Sequence, residues 1–212
     1  MFSFFAEKGY DVKYLPNYIN KERFPYKPFN KENCCSVLWV RAFSREYNPK
    51  IALRAIQIVK DKYPNVLLTM VGPDKGELKA CRELIKQLDL TDNIRIIGPV
   101  SNQSLPAYFH SNYLFINTPS YESFGLGVLE AASSGVPVLS FNVGEIPLLW
   151  ESEKEILLCS KKPESMAERM VEAFENPVKM AEIARHAKEK ANNFTWEKIS
   201  KNWEEILEYE IS

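Results

Sequence analysis

Two carboxylates and three glycines share one stretch, residues 119–135 (PSYESFGLGVLEAASSG), and their spacing implies a chemistry before any fold is considered. Glu122 and Glu130 have seven residues between them, with Gly125 and Gly127 inside that interval. A turn-forming, glycine-bearing lead followed by a small and apolar run reads as a strand-to-helix loop that opens a helix near Gly125. Glu122 then lies in the loop, and Glu130 about 7 Å along the helix axis. The unpaired amides of the first turn and the positive end of the macrodipole fall between the two acids, where an anion can be met. Carboxylates accept hydrogen bonds from hydroxyls, and amides receive phosphate. A nucleoside diphosphate sugar, with hydroxyls at both ends and phosphates between, fits that arrangement.

The elements that must position this stretch become regular from Ser36 onward. Strand candidates are residues 36–42, 66–71, 94–97, 113–117, 137–141 and 156–159. Helix candidates between them are residues 49–62, 77–88, 104–111 and 125–134, with a short one near Pro147. Strict alternation of strand and helix implies right-handed crossovers and a parallel sheet covered on both faces, a doubly wound α/β domain that is Rossmann-like. Ligands in such sheets bind outside the carboxyl ends of the strands, where the strand order reverses. Three loops therefore carry weight: residues 71–74, residues 98–100, and the stretch after Asn117. Gly72 and Gly98 at strand exits would let backbone approach a ligand closely. The tail, residues 163–174, 177–193 and 195–209, is helical, and its last helix places Trp196, Ile199, Trp203, Ile206 and Leu207 on one face. That stripe is expected to be buried, either on its own sheet or on a second domain.

Composition excludes several classes. A formal net charge of -1 on 212 residues argues against nucleic-acid binding, and no apolar run approaches the ~20 residues of a membrane helix. Nothing at the amino terminus reads as a signal peptide, so the expected location is cytoplasmic. Cys34, Cys35, Cys81 and Cys159 lack metal-ligand spacing and are expected to be reduced thiols, so no metal is expected. His110 and His186 read as structural or solvated. Residues 1–33 are aromatic and broken by Pro16, Pro25 and Pro28. A short helix over residues 2–8, a strand over 12–15 and an irregular connector are expected there, packed on this domain or on a neighbour. The expected division is thus 1–33 as lead-in and 34–212 as the folded domain.

At the level of ordered motifs, residues 37–209 resemble the carboxyl-terminal, donor-binding domain of the retaining glycosyltransferases built from two facing Rossmann-like domains, the GT-B fold, within glycosyltransferase family 4. The resemblance rests on Glu122-Ser-Phe-Gly-Leu-Gly-Val-Leu-Glu130, followed by Ala131-Ala132 and Gly135-Val-Pro-Val138. Arg41 after the first strand, Val71-Gly72 after the second, Gly98-Pro-Val100 after the third and Phe194-Thr-Trp196 before the last helix support it, and Leu15-Pro-Asn17 resembles the interdomain linker. It implies that Glu122 binds the donor sugar's hydroxyls and that Glu130 accepts from the ribose. It also implies that the amides of Phe124, Gly125 and Leu126 contact sugar and diphosphate, that Arg41 neutralises the leaving diphosphate, and that the backbone at Val100 reads the base. Glu122 and Arg41 would be the catalytic pair, without metal or cofactor, because charge develops on the leaving group.

The chain departs from the family in two ways. Tyr47 stands where a lysine normally joins the arginine on the diphosphate, and a lost donor at a developing oxyanion costs about 3 to 4 kcal/mol in the transition state. Arg45 and Lys50 are nearby substitutes. The amino-terminal acceptor-binding domain is not represented, residues 1–33 resembling only its last helix and the linker. The leading expectation is a donor-binding half that needs a partner domain or subunit for transfer. A non-catalytic interaction module with the same fold is the alternative, and a sugar-nucleotide epimerase ranks third.

Overall fold

The computed structural model describes residues 5, 7–10, 15–29 and 34–211. Among the described residues there are six strands: β1 (Ser36–Val40), β2 (Leu67–Val71), β3 (Ile94–Gly98), β4 (Leu114–Asn117), β5 (Val138–Phe141) and β6 (Leu157–Cys159). Between them run α1 (Pro49–Lys60), α2 (Leu78–Gln87), α3 (Leu105–His110), α4 (Leu126–Ser134) and α5 (Ile146–Leu149), and the tail forms α6 (Pro163–Glu175), α7 (Pro177–Ala191) and α8 (Trp196–Ile211). From residue 36 onward each expected strand and helix is found, with ends moved by only a residue or two. The helix expected over residues 2–8 and the strand over 12–15 fall largely outside the described residues, and so does the boundary at Asn33.

All strand pairs are parallel, in the order β3-β2-β1-β4-β5-β6. Successive residues of a strand point to opposite faces, and β1 shows the consequence. Val37 and Trp39 join the core under α1, α2 and α6, whereas Leu38 joins the second core under α3, α4 and α7. Burial on both faces explains why these strands read as unbroken apolar runs rather than alternating ones. Proline at the first turn opens α1, α3, α6 and α7, where its missing amide proton costs nothing. Because β1 and β4 are neighbours whose connections leave in opposite directions, their carboxyl ends bound a crevice.

Residues 18–27 of the lead-in pack on this domain. Phe24 is buried against Phe109, its carbonyl accepts from Ser133 Oγ, and Lys27 N donates to the Ser134 carbonyl. His110 Nε2 lies 2.9 Å from the Pro25 carbonyl, so this histidine ties the lead-in to α3. Ile19 bridges Thr195 in parallel, and Tyr18 meets Trp196 edge to face at 5.2 Å.

Of the two covers expected for the α8 stripe, its own sheet does not supply one: Ile199 is buried, but Trp196, Trp203 and Leu207 are 52%, 43% and 54% exposed. The sheet face available to α8 is already covered by α7, whose Ala187 and Ala191 pack into the second core. An amphipathic pattern specifies that a face wants cover, not that its own domain supplies it.

Candidate functional site

The crevice begins where β1 ends. The amide of Arg41 donates to the Val71 carbonyl at 3.0 Å, which continues the β1–β2 ladder one residue past the strand. Gly72 sits beside it with φ of 148°, and a Cβ there would drive into the Arg41 carbonyl. Only glycine allows the two strand exits to lie this close. The amide of Gly72 in turn donates to the Gly98 carbonyl at 2.9 Å, so the exits of β1, β2 and β3 are stitched in series.

The Arg41 side chain is thereby aimed across the switch point toward β4. Its Nη2 donates to Glu122 Oε2 at 2.6 Å and to Asn117 Oδ1 at 3.1 Å. The Tyr47 ring lies 5.3 Å from its Cζ, within cation–π range. Arg41 Nε is buried and has no hydrogen-bond partner among the described residues. A half-paired, largely buried guanidinium is poised to accept a further anion.

Glu122 is fixed from two sides. On the β4 side, Trp39 Nε1 donates to Thr118 Oγ1, which donates to the Tyr47 carbonyl, while Asn48 Nδ2 reaches the Thr118 carbonyl and Ser120 Oγ. Asn48 can do this because it takes the left-handed conformation, with φ of 47°, that asparagine tolerates better than most residues. From the β5 side, Glu145 N donates to the Glu122 carbonyl at 2.9 Å. Gly144 sits so close to that carbonyl that a Cβ would overlap it.

Gly125, with φ of 87°, turns the chain into α4, and its carbonyl accepts from Leu129 N to begin the helical ladder. The amides of the first turn ahead of that bond are placed to meet a ligand. Leu126 is exposed, whereas Phe124 is buried and packs edge to face on Phe194, so Phe124 can offer a ligand only its backbone. Glu130 is half-buried. Burial pushes its carboxyl up to about 7, with Arg23 and Arg41 pulling the other way.

A cavity of about 370 Å³ opens at the strand exits, lined among others by Arg41, Tyr47, Gly72, Val100 and Asn102. The structure thus brings Arg41, Tyr47, Gly72 and Val100 around one space, with Glu122 joined to it through Arg41. Arg45 and Lys50, the neighbours of Tyr47, are engaged elsewhere. Lys50 Nζ and Arg45 Nε hold Glu77 at 2.6 and 3.1 Å, and these two partners, Lys50 first, keep its carboxyl below the usual range. Neither is an unoccupied replacement for the lysine.

Arg23 is the residue that sequence reasoning missed. It comes from the lead-in, donates from Nε to the Asn102 carbonyl at 3.0 Å and acts electrostatically on Glu130. Its only signal in the sequence was its place beside Phe24 in an aromatic connector. Asn117 and Asn48 were likewise unassigned. Among the described residues no group of three or more His, Cys, Asp or Glu could hold a metal ion, and no helix is long and apolar enough to cross a membrane.

Comparison with known proteins gives this geometry a family. One human relative, a component of phosphatidylinositol N-acetylglucosaminyltransferase, is 24% identical over 204 residues, which cover 93% of this chain and 41% of that protein. The fold matches Anabaena Alr3699/HepE, whose solved structures include complexes with UDP and with UDP-glucose; the UDP complex gives a TM-score of 0.88 at 20% identity over 98% of this chain and 61% of that one. It also matches the C-terminal domain of the group 1 glycosyl transferase LpcC from Francisella tularensis, with a TM-score of 0.73 at 17% identity over 82% of this chain and 97% of that domain. The chain therefore spans under two thirds of these longer relatives and covers nearly all of an isolated C-terminal domain. With residues 20–193 matched by the family's own model, the chain belongs to the glycosyl transferases group 1.

Proposed function

We propose that this chain is the donor-binding half of a retaining, metal-independent glycosyltransferase that takes a sugar from a nucleoside diphosphate sugar. The observation that carries the reading is the meeting, at the β1/β4 switch point, of Arg41, Glu122 and the first turn of α4, with Glu130 behind them. In this reading the diphosphate lies against the α4 amides and Arg41, the sugar hydroxyls are taken by Glu122, the ribose by Glu130, and the base edge by the backbone at Val100. Arg41 and the fixed amides stabilise the charge that grows on the diphosphate as the glycosidic bond breaks, so no metal or cofactor is needed for that step. Tyr47 contributes by stacking on Arg41 rather than by contacting phosphate as a cation.

The acceptor is bound by a second domain or subunit, which also closes the cleft against water. The exposed stripe of α8 supports a domain that docks on partners. UDP in the matched Anabaena complexes supports a uridine donor as the first to be tried, and a cytoplasmic supply of nucleotide sugar is part of the proposal. The names of the relatives favour an enzyme over a non-catalytic module. Calorimetric titration with UDP- and GDP-sugars tests the reading: saturable heat with at least one donor is expected. A folded sample that gives none at millimolar donor refutes it. Glu130→Ala should weaken free UDP and UDP-sugar alike, whereas Glu122→Ala should weaken only the sugar-bearing ligand.

A further inference from the structure

At the opposite end of the sheet from the crevice, Cys34 and Cys35 form the turn that leads into β1. Both are free, half-buried thiols, and their Sγ atoms lie 3.6 Å apart. With Asn65, Thr69, Arg95 and Asn112 they line a cavity of about 480 Å³ at the amino ends of the strands. Cys81 on α2 and Cys159 on β6 are buried, so this is the one pair of accessible thiols in contact among the described residues.

Three chemistries compete for adjacent thiols, and geometry separates them. A disulfide wants Cα atoms at least about 4.4 Å apart, whereas neighbours across a trans peptide are held at about 3.8 Å, so closing one would strain the turn. A soft atom inserted between the sulfurs meets no such obstacle. With bonds of about 2.3 Å, sulfurs separated as here subtend an angle of about 100° at the inserted atom, close to what a tetrahedral or pyramidal centre requires. A divalent cation would have to expel both thiol protons. Burial, followed by the hydrogen bond and charge of Cys34, pushes the Cys35 thiol up to about 11, which opposes that loss near neutral pH.

We propose that Cys34 and Cys35 form a dithiol site for trivalent, thiophilic metalloids, with arsenic(III) as its type ligand. An arsenic(III) dihydroxide condenses with the two thiols. Two As–S bonds form and two As–O bonds break, and each thiol proton departs with a hydroxide as water. Arsenic stays trivalent, no oxidant is consumed, and no net proton is released to the solvent, so the high proton affinity of Cys35 is no barrier. The polar mouth of Asn65, Asn112 and Arg95 admits the hydroxylated reagent.

The probe is phenylarsine oxide, added to the reduced, folded chain and read by intact mass and by mapping which cysteines resist later alkylation. One adduct per chain is expected, protecting Cys34 and Cys35 together and reversed by a small dithiol but not by a monothiol. Cys34→Ser and Cys35→Ser should each lower affinity about tenfold or more, while Cys81→Ser and Cys159→Ser leave it unchanged. Protection of any other cysteine, or an adduct that forms only after denaturation, overturns the proposal. Alkylation mapping on the unsubstituted protein decides the matter even where a serine variant does not fold. The outcome is independent of the donor reading, because UDP titration reports on the other end of the sheet.

Discussion

Glu130 offers a test in which the protein supplies its own magnitude. Burial lifts its carboxyl from 4.5 to about 7, against the pull of Arg23 and Arg41. If the ribose diol donates to this group, the ionised form is the one that binds. With a midpoint near 7, about a tenth of the carboxyl is ionised at pH 6 and about nine tenths at pH 8. UDP affinity should therefore rise about ninefold over that interval, or about 1.3 kcal/mol. The nucleotide's terminal phosphate also titrates near pH 6, so the comparison must be made against Glu130→Gln, which keeps the shape and removes the proton. The ratio of wild-type to variant affinity isolates Glu130. Stability gives the opposite sign. A folded-state value above the unfolded one means that the protonated carboxyl favours folding fully below pH 4.5, and that this contribution is lost as pH rises through about 7. At pH 8 Glu130→Gln should thus be more resistant to urea than wild type by up to about 3 kcal/mol while binding UDP less well. Equal pH slopes for UDP binding in the two proteins, or wild-type affinity that grows on acidification, would refute the reasoning.

Arg23→Met should weaken UDP binding several-fold at pH 7 and move the midpoint of the pH profile upward, because Glu130 loses an opposing cation; calorimetry across pH reads both effects. Gly144→Ala should displace the Glu122 backbone and erase the preference for UDP-sugar over UDP while UDP itself still binds, measured by competitive titration. Gly72→Ala forces a methyl group into the Arg41 carbonyl and should cost about 3 kcal/mol or more in a urea melt, with loss of donor binding in whatever fraction still folds.

What the sequence disclosed and what it withheld divide along physical lines. The six strands and the helices between them were legible because apolar runs bounded by glycine and proline have few other ways to bury themselves. Alternation alone pointed to the loops at the carboxyl ends of the strands, whereas the crevice between β1 and β4 needed the strand order. The Arg41–Glu122 contact was not legible, because the two residues lie 81 positions apart and meet only through the β1–β4 neighbour relation. Arg23 was hidden for a similar reason: its connector has no periodicity, and its place is set by Phe24 entering the core beside Phe109. The engagement of Arg45 and Lys50 by Glu77 joins the start of α1 to the start of α2, a tertiary coincidence that no local pattern carries. For the α8 stripe, periodicity showed that a face wants cover but not whether its own sheet or a second domain supplies it, and in this chain the sheet does not.

The Arg41–Glu122 pair bears on how a site without the family's lysine can still prefer an intact donor. Both side chains are mostly buried, 17% and 14% exposed, so parting them leaves two charges in a poorly solvated place. On the proposed reading, free UDP takes Arg41 and strands the Glu122 carboxylate. An intact UDP-sugar takes both, since its phosphates meet the guanidinium while its hydroxyls donate to the carboxylate. The cost of breaking the pair is then offset on both sides only when sugar and diphosphate arrive together. Tyr47, stacked on Arg41 and fixed through its carbonyl by Thr118, keeps the guanidinium oriented during the exchange. A lysine at position 47 would instead add a second cation, helping free UDP as much as the donor and weakening that discrimination. On that reading, a tyrosine at position 47 would make recognition of the diphosphate conditional on the sugar it carries, and UDP-sugar should outcompete UDP less strongly in Tyr47→Lys than in wild type.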